Sequence, residues 1–180
     1  MRRITISGSQ SVGKTTLIED LFSRTPINQN FDLCNNTTRN ALHKGKPINE
    51  RGDNETQLLI LSQHMNNYCV DRNTIYDRCA LDGYVYTKWL WENKKVSTDI
   101  FMLSKRIFES LSYDTYFYIP PEEHVPLAND GERSVSREWQ DEIHKRFLKA
   151  ISYHMVSVVT LTGTRKERVN QFTKTIGENI

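Results

Sequence analysis

The sequence lacks the long apolar runs that a membrane span or a secretion signal needs. No uninterrupted apolar run exceeds four residues, and residues 58–61 form one such run, whereas a membrane-spanning helix needs about 20 apolar residues. The first residues are basic but lead into a turn at Gly8 rather than into an apolar signal core. We therefore expect a cytoplasmic protein that is neither secreted nor inserted in a membrane.

The chain also has few cysteines and no large excess of positive or negative charge. The chain has three cysteines, Cys34, Cys69 and Cys79, which form no C-x-x-C pair and cannot all pair with one another. This usage predicts reduced thiols rather than a disulfide framework. The 24 Lys and Arg residues nearly balance the 22 Asp and Glu residues, which leaves a formal net charge of +2. Such a small charge argues against a nonspecific nucleic-acid binder, which usually carries a basic stripe.

Internal repeats and low-complexity tracts are missing as well, and no shift in composition marks a domain boundary. The length of 180 residues fits one domain of ordinary size. A chain of this length buries roughly 70% of its unfolded surface without help from disulfides or metals. We therefore predict a single domain over residues 1–180.

Short β-branched or aromatic runs alternate with stretches of helical periodicity. The predicted strands cover residues 3–7, 31–34, 74–76, 115–119 and 156–161. The predicted helices cover residues 56–68, 80–91 and 100–111, and three more begin near residues 14, 136 and 165. Residues 58–61 are apolar on every side of their helix, which predicts deep burial. Strands that alternate with helices predict an α/β fold with a parallel sheet covered on both faces.

The segment from Gly8 to Thr15, here called the phosphate loop, carries the strongest functional signal. Its letters, GSQSVGKT, fit the pattern G-x-x-x-x-G-K-[ST] at every fixed position, between a predicted strand and a predicted helix. Glycine lets the backbone curl so that its N–H groups grip a polyphosphate, and the helix points its positive end at the same anion. We predict that Lys14 reaches the β/γ-phosphates of ATP and that the Thr15 hydroxyl binds Mg²⁺. The predicted nucleotide-binding residues of this segment are Gly8, Ser9, Gln10, Ser11, Val12, Gly13, Lys14, Thr15 and Thr16.

Asp77 and Arg78 follow the predicted strand 74–76, at the edge where open α/β sheets place their ligands. A carboxylate there can orient or deprotonate an acceptor hydroxyl, or act on Mg²⁺ through water. An adjacent guanidinium can hold substrate oxygens in a fork. A surface ion pair is the alternative for the dipeptide alone. With the phosphate loop upstream, we predict that Asp77 is catalytic and metal-binding, and that both residues bind the second substrate.

The phosphate loop, the Asp77-Arg78 pair and the segment Leu81-Asp82-Gly83-Tyr84 together resemble the P-loop nucleoside and nucleotide kinases. The sequence is similar to the thymidylate-kinase-like enzymes and to small kinase-like ATPases related to ribosylnicotinamide kinase. Further matches cover residues 113–120, 129–133 and 163–165. Thymidylate kinases usually follow Asp-Arg with an aromatic residue and serines, so Cys79-Ala80 argues against strict thymidylate specificity. The resemblance implies a parallel sheet of five strands in the order 2-3-1-4-5, flanked by helices, and a lid over about residues 122–137.

The resemblance also implies roles for several arginines. Arg133 and Arg137 would be lid residues that neutralise the transferring phosphoryl group in a site closed to water. Without the resemblance, the alternative for Arg133 is a solvated loop residue, and the alternative for Arg137 is an ordinary residue in the first turn of a helix. Arg39, after the second strand, would hold the acceptor, with an ordinary surface loop residue as the alternative.

Other polar and aromatic residues leave two interpretations open. Gln57 could hydrogen-bond a base edge or be an ordinary first-turn polar residue. In the resembling kinases the turn containing Gly163 and Arg165 approaches adenine, and a capping turn without a ligand is the alternative. Tyr84 and Trp89 could stack on a base, although aromatic residues at helical spacing more often belong to the core.

These residues predict a kinase that uses ATP and Mg²⁺ to phosphorylate a nucleoside, a nucleoside monophosphate or a related acceptor, with a deoxynucleotide favoured. One alternative keeps the fold but acts on ribosylnicotinamide or on a modified base in DNA. The near-neutral charge disfavours the DNA acceptor. Another alternative is a regulatory nucleotide-binding ATPase without a second substrate. The resemblance is also compatible with a homodimer.

Overall fold

The computed structural model describes residues 1–35, 37–123, 125, 127, 136–154 and 156–177. The strands are β1 (Arg3–Ser7), β2 (Asp32–Cys34), β3 (Thr74–Asp77), β4 (Thr115–Tyr118) and β5 (Val158–Thr160). The helices are α1 (Lys14–Arg24), α2 (Ile27–Asn30), α3 (Thr37–His43), α4 (Asn54–Tyr68), α5 (Ala80–Glu92), α6 (Thr98–Ser110), α7 (Arg137–Tyr153) and α8 (Arg165–Ile176). A 3₁₀ turn covers Asn49–Arg51.

The described strands form one parallel sheet of five, in the order β2-β3-β1-β4-β5. This result confirms the predicted α/β fold and strand order. The central strand β1 pairs with β3 on one side and β4 on the other, and Ile6 lies opposite Asp77 in the register. Because parallel strands end at the same edge, the phosphate loop after β1 and Asp77 at the end of β3 emerge side by side.

Helices cover both faces of the sheet, as predicted, because the strand side chains alternate between the two faces. On one face, Ile4 and Ile6 of β1 pack with apolar residues of α1 and α8, including Leu21 and Phe172. On the other face, α4, α5, α6 and α7 build a second core that includes Tyr84 and Trp89. Tyr84 is 4% exposed and Trp89 8%, so the core interpretation of these two aromatic residues is confirmed.

The structure corrects two local predictions. Leu58 is 45% exposed, so the apolar run 58–61 is buried only in part, at Ile60 and Leu61. The short helices α2 and α3 were not predicted, since four and seven residues are too few to display a helical period. Cys34, Cys69 and Cys79 are all free thiols. In the described part of the chain, no helix has the length and apolar character that crossing a membrane requires.

Candidate active site

The phosphate loop has the backbone geometry of an anion-binding turn. Ser11 and Gly13 both adopt left-handed conformations, with φ of 56° and 91°, on either side of Val12. Alternation of this kind turns successive N–H groups toward one concavity. Gly8 has a φ of 151°, and a Cβ placed there would lie 2.5 Å from the carbonyl oxygen of Ile119. Only glycine fits at this position.

The N-terminus of α1 is left open for a ligand. Its N-cap residue is Gly13, which has no side chain to cap the helix, and its first turn contains no acidic residue. The first N–H groups of a helix have no partner within the helix, so they and the positive end of the helix dipole are available to an anion.

The Lys14 side chain folds back over the phosphate loop. Its ammonium is buried and donates to the carbonyl oxygens of Gly8 at 2.8 Å and Ser9 at 2.5 Å. Lys14, Thr15 and Thr16 line a cavity of about 100 Å³ in front of the loop, here called the central cavity.

Asp77 and Arg78 line the same central cavity, across from the phosphate loop. The Asp77 Oδ1 atom is buried and has no hydrogen-bond partner among the described residues. A carboxylate oxygen without a partner and the nearby Thr15 hydroxyl are the hard oxygen donors that Mg²⁺ prefers, so the two residues fit this ion. Within the described ranges, no three His, Cys, Asp or Glu side chains gather as metal ligands. Any Mg²⁺ here would therefore need oxygens from a nucleotide or from water.

A second cavity of about 30 Å³, here called the inner cavity, shares Thr38, Asn49 and Arg78 with the central cavity. Its remaining lining residues are Gln57, Ile60, His64, Asp82, Gly83 and Tyr86. Gln57 is 3% exposed, and its Oε1 accepts a hydrogen bond from the Thr87 hydroxyl at 2.9 Å. This placement makes Gln57 a wall of a cavity rather than an ordinary solvated first-turn residue.

Arg78 stands at the junction of the two cavities because its backbone is left-handed, with a φ of 73°. Its Nη1 lies 3.4 Å from Asp82 Oδ1, and its guanidinium lies over the Tyr86 ring, 5.5 Å from the centroid. Burial disfavours the charged guanidinium, but Tyr86, Asp82 and Asp77 hold the pKa of Arg78 above its usual value. Arg78 therefore stays charged beside the cavities.

Asp82, which faces Arg78, is 2% exposed. Its Oδ2 accepts hydrogen bonds from the Ser7 hydroxyl at 2.6 Å and from the Cys79 N–H at 3.1 Å. Burial, and then the charge of Asp82, raise the pKa of the Cys79 thiol to about 12. Sequence reasoning gave Asp82 no role, because a polar residue inside a helix shows no sign of which partners it meets.

His64 is the second inner-cavity residue that sequence reasoning missed. Burial, assisted by the charge of Arg78, lowers the pKa of His64 to about 3, so the imidazole is neutral at physiological pH. A Cβ added to Gly83 would lie 3.2 Å from the imidazole Cδ2, so the glycine makes room for the ring. The inner cavity is thus lined mainly by neutral groups that can form hydrogen bonds.

A third cavity of about 590 Å³, here called the outer cavity, shares Gly13 and Thr16 with the central cavity. It is lined by residues of α1 and by the turn from Gly163 to Arg165 that leads into α8. Arg165 holds Asp20 through two hydrogen bonds of 2.9 and 2.8 Å, which lower the pKa of Asp20. Gly163 has a φ of 86°, and its N–H donates to Glu122 Oε1 at 3.0 Å.

The structure locates the predicted arginines to different degrees. Arg39 lies in α3, where its backbone alone is described. Arg133, with most of the predicted lid, lies outside the described residues. Arg137 opens α7 and donates to Gln140 Oε1 at 2.7 Å and to the carbonyl oxygen of Val125 at 3.4 Å. It is not among the described residues that line the three cavities.

Comparison with solved structures identifies proteins of the same fold. The chain is similar to the structure of a NadR protein in complex with NR, with a TM-score of 0.74 and 19% identity over 99% of this chain and 52% of that one. A NadR protein with NAD and AMP-PNP gives a TM-score of 0.74 and 18% identity over 99% of this chain and 50% of that one. The chain thus spans about half the length of these NadR structures. No curated protein matches the chain.

A deoxyadenosine kinase from M. mycoides, solved with the products dCMP and dCDP, matches along its full length. The TM-score is 0.72, with 14% identity over 98% of both chains. These likenesses confirm the predicted kinase-type fold. A family described as AAA domain matches residues 3–168. Since this match covers most of the 180 residues, the chain belongs to the AAA domain family.

Proposed function

We propose that this protein transfers the γ-phosphoryl group of ATP, with Mg²⁺, to a nucleoside or a related acceptor. The observation that carries the proposal is the continuity of the three cavities along one edge of the sheet. The outer cavity shares Gly13 and Thr16 with the central one, which shares Arg78 with the inner one. A donor base would occupy the outer cavity and its phosphate chain the central one. The acceptor would lie at the junction of the central and inner cavities, with only the edge of its base reaching the inner cavity of about 30 Å³.

On the donor side, the phosphate loop supplies positive charge and N–H groups to the phosphates. Lys14 would exchange its bonds to Gly8 and Ser9 for bonds to the β- and γ-phosphate oxygens. Thr15 and Asp77 would hold Mg²⁺, which neutralises phosphate charge when it is bound. We also propose that Gly163 and Arg165 border the adenine, since both line the outer cavity.

On the acceptor side, Asp77 would orient or deprotonate the attacking hydroxyl, because its Oδ1 has no competing partner among the described residues. Arg78 would hold the acceptor from the junction of the two cavities. Gln57 and the neutral His64 would provide hydrogen bonds to a base. From the family resemblance we further propose that Arg39 holds the acceptor and that Arg133 and Arg137 neutralise the transferring phosphoryl group.

The charge of the inner cavity favours a nucleoside over a nucleoside monophosphate. Among its described lining residues, Arg78 is the sole cation, and Asp82 opposes it at 3.4 Å. A monophosphate would bring about two negative charges, and the one described cation that lines this cavity already faces the Asp82 carboxylate. The likeness to NadR with NR and to a deoxyadenosine kinase also supports a nucleoside acceptor.

An acceptor panel tests this proposal. ATP and Mg²⁺ are combined with nucleosides, ribosylnicotinamide, nucleoside monophosphates and DNA that carries modified bases, and ADP and the phosphorylated product are measured. We expect ADP formation to depend on a nucleoside-type acceptor. ADP formation that no acceptor stimulates would instead support the regulatory ATPase, and a monophosphate preference would overturn the charge reasoning.

Two variants separate the donor and acceptor roles. Asp77→Asn should lower kcat by roughly a hundredfold or more while changing ADP affinity, measured without Mg²⁺, by less than about threefold. Lys14→Ala should abolish both ADP binding and transfer without unfolding the protein. Glu142→Gln, which alters a surface ion pair with Arg146, is the control and should retain full activity. Full activity of Lys14→Ala would refute the donor site.

A further inference from the structure

Two carbonyl groups of the phosphate loop are held by side chains from distant helices. Gln140 of α7 donates its Nε2–H to the carbonyl oxygen of Gln10 at 2.6 Å. Arg168 of α8 donates its Nη1–H to the carbonyl oxygen of Val12 at 2.7 Å. We infer that Gln140 and Arg168 are positioning residues that aim the N–H groups of the phosphate loop at the bound phosphates.

The inference follows from the geometry of the peptide bond. A trans peptide is planar, so the C=O of one residue and the N–H of the next point in opposite directions. A hydrogen bond that draws the Gln10 oxygen toward α7 therefore turns the Ser11 N–H away from α7. In the same way, the bond from Arg168 to Val12 turns the Gly13 N–H away from α8, toward the central cavity that Ser11 and Gly13 line.

The backbone conformation agrees with this inference. The two residues whose N–H groups are oriented, Ser11 and Gly13, both have left-handed backbones, with φ of 56° and 91°. A serine in this conformation is strained by roughly 1–2 kcal/mol, so the surrounding contacts must hold it there. The bonds to the neighbouring carbonyls supply such contacts.

Both positioning side chains are buried and are themselves held in place. Gln140 is 1% exposed, and its Oε1 accepts from Arg137 Nη1 at 2.7 Å, which leaves Nε2 facing Gln10. Arg168 is 5% exposed, and its Nη2 lies 3.0 Å from Glu122 Oε1. Water cannot easily replace hydrogen bonds from groups this deeply buried, so the loop orientation is set before a ligand arrives.

The inference rests on the phosphate-binding part of the proposed function and does not depend on the acceptor. Its test is therefore a binding measurement, in which titration calorimetry compares ADP, inorganic pyrophosphate and adenosine. The variants are Gln140→Met, Arg168→Met, the double variant and Arg168→Lys. The matched control is Arg146→Met, which removes a partly buried arginine from the same helix as Gln140, and the ion pairs of this arginine are with Glu92 and Glu142 rather than with the phosphate loop.

We expect Gln140→Met and Arg168→Met each to weaken ADP and pyrophosphate binding by roughly tenfold, or about 1.4 kcal/mol. The double variant should bind ADP and pyrophosphate roughly a hundredfold more weakly, because the two side chains orient different N–H groups. Adenosine binding should change by less than about twofold in Gln140→Met, which a general structural defect would not achieve. Arg168 itself lines the outer cavity, so the adenosine comparison is made on Gln140→Met alone. Arg168→Lys should recover part of the loss, since an ammonium can still donate to the Val12 oxygen.

Wild-type ADP affinity in both single variants would overturn the inference. An equal loss of adenosine binding in Gln140→Met, or an equal loss of ADP binding in Arg146→Met, would also overturn it, because the effect would then be on the whole fold. Should Arg168→Met fail to fold, Gln140→Met and Arg168→Lys carry the same test. If the variants lose phosphate binding as expected but the wild-type protein phosphorylates no acceptor, the kinase proposal is refuted and this inference stands.

Discussion

Replacing Asp82 with asparagine should destabilise the protein strongly, although the substitution barely changes the size of the side chain. The carboxylate accepts from Ser7 and Cys79 and faces the guanidinium of Arg78. Asparagine keeps one oxygen for the first two donors, but its NH₂ group would then face Arg78. The variant leaves a mostly buried cation without its counter-charge.

The size of the effect follows from burial and distance. Breaking a buried ion pair by removing one partner costs about 3–5 kcal/mol. The Arg78 side chain is 19% exposed and the separation is 3.4 Å, so the low end of that range applies. We expect the free energy of unfolding to fall by about 3 kcal/mol, which lowers the Tm of a chain of this size by roughly 6–12 °C.

Urea unfolding followed by tryptophan fluorescence measures this loss. Glu142→Gln removes a surface carboxylate that lies 2.9 Å from Arg146, and it should cost less than about 1 kcal/mol. The double variant Asp82→Asn with Arg78→Gln should recover part of the stability, because no unpaired charge remains. A loss in Asp82→Asn no larger than that in Glu142→Gln would refute the reasoning.

Two further predictions concern the phosphate loop and the inner cavity. Gly8→Ala should abolish ADP binding and lower the free energy of unfolding by about 2 kcal/mol or more, because the new Cβ would lie 2.5 Å from the Ile119 oxygen. Gly45→Ala, whose Cβ would have no atom within 4 Å, should lower it by only about 1 kcal/mol and bind ADP normally. The pKa of His64 is about 3 in the folded protein and about 6.5 in the unfolded chain. Between pH 6.5 and pH 3 the unfolded chain therefore binds a proton that the folded protein does not, so the free energy of unfolding falls as the pH drops through this range. Between pH 7 and pH 4 the loss should reach about 3 kcal/mol, and urea unfolding of His64→Asn should show a flatter pH dependence; an unchanged slope would contradict a buried neutral imidazole.

The features that the sequence predicts well are those in which all contributing residues are neighbours in the chain. The phosphate loop is eight consecutive residues between a strand and a helix, so its type follows from spacing alone. The same holds for α5, whose predicted bounds of 80–91 compare with Ala80–Glu92 in the structure. Local patterns fix such elements because their hydrogen bonds are local.

The features that escape prediction depend on contacts between distant residues. Gln140 and Arg168 reach the phosphate loop across 130 and 156 residues, and nothing in their immediate neighbours signals it. Leu58 belongs to an apolar run but faces outward, because the packing of α4 rather than its composition decides which side is covered. His64 was missed for the same reason, since the space for its ring depends on Gly83 of another helix.

The folded-back Lys14 has a consequence for how a nucleotide enters. The Lys14 ammonium donates to two loop carbonyls, which take the place that phosphate oxygens would have. An incoming phosphate chain must exchange partners with this lysine rather than add new ones, so the net heat of association should be smaller than the number of final contacts suggests. The lysine therefore favours ligands whose anionic oxygens compete well with the two carbonyls for its ammonium.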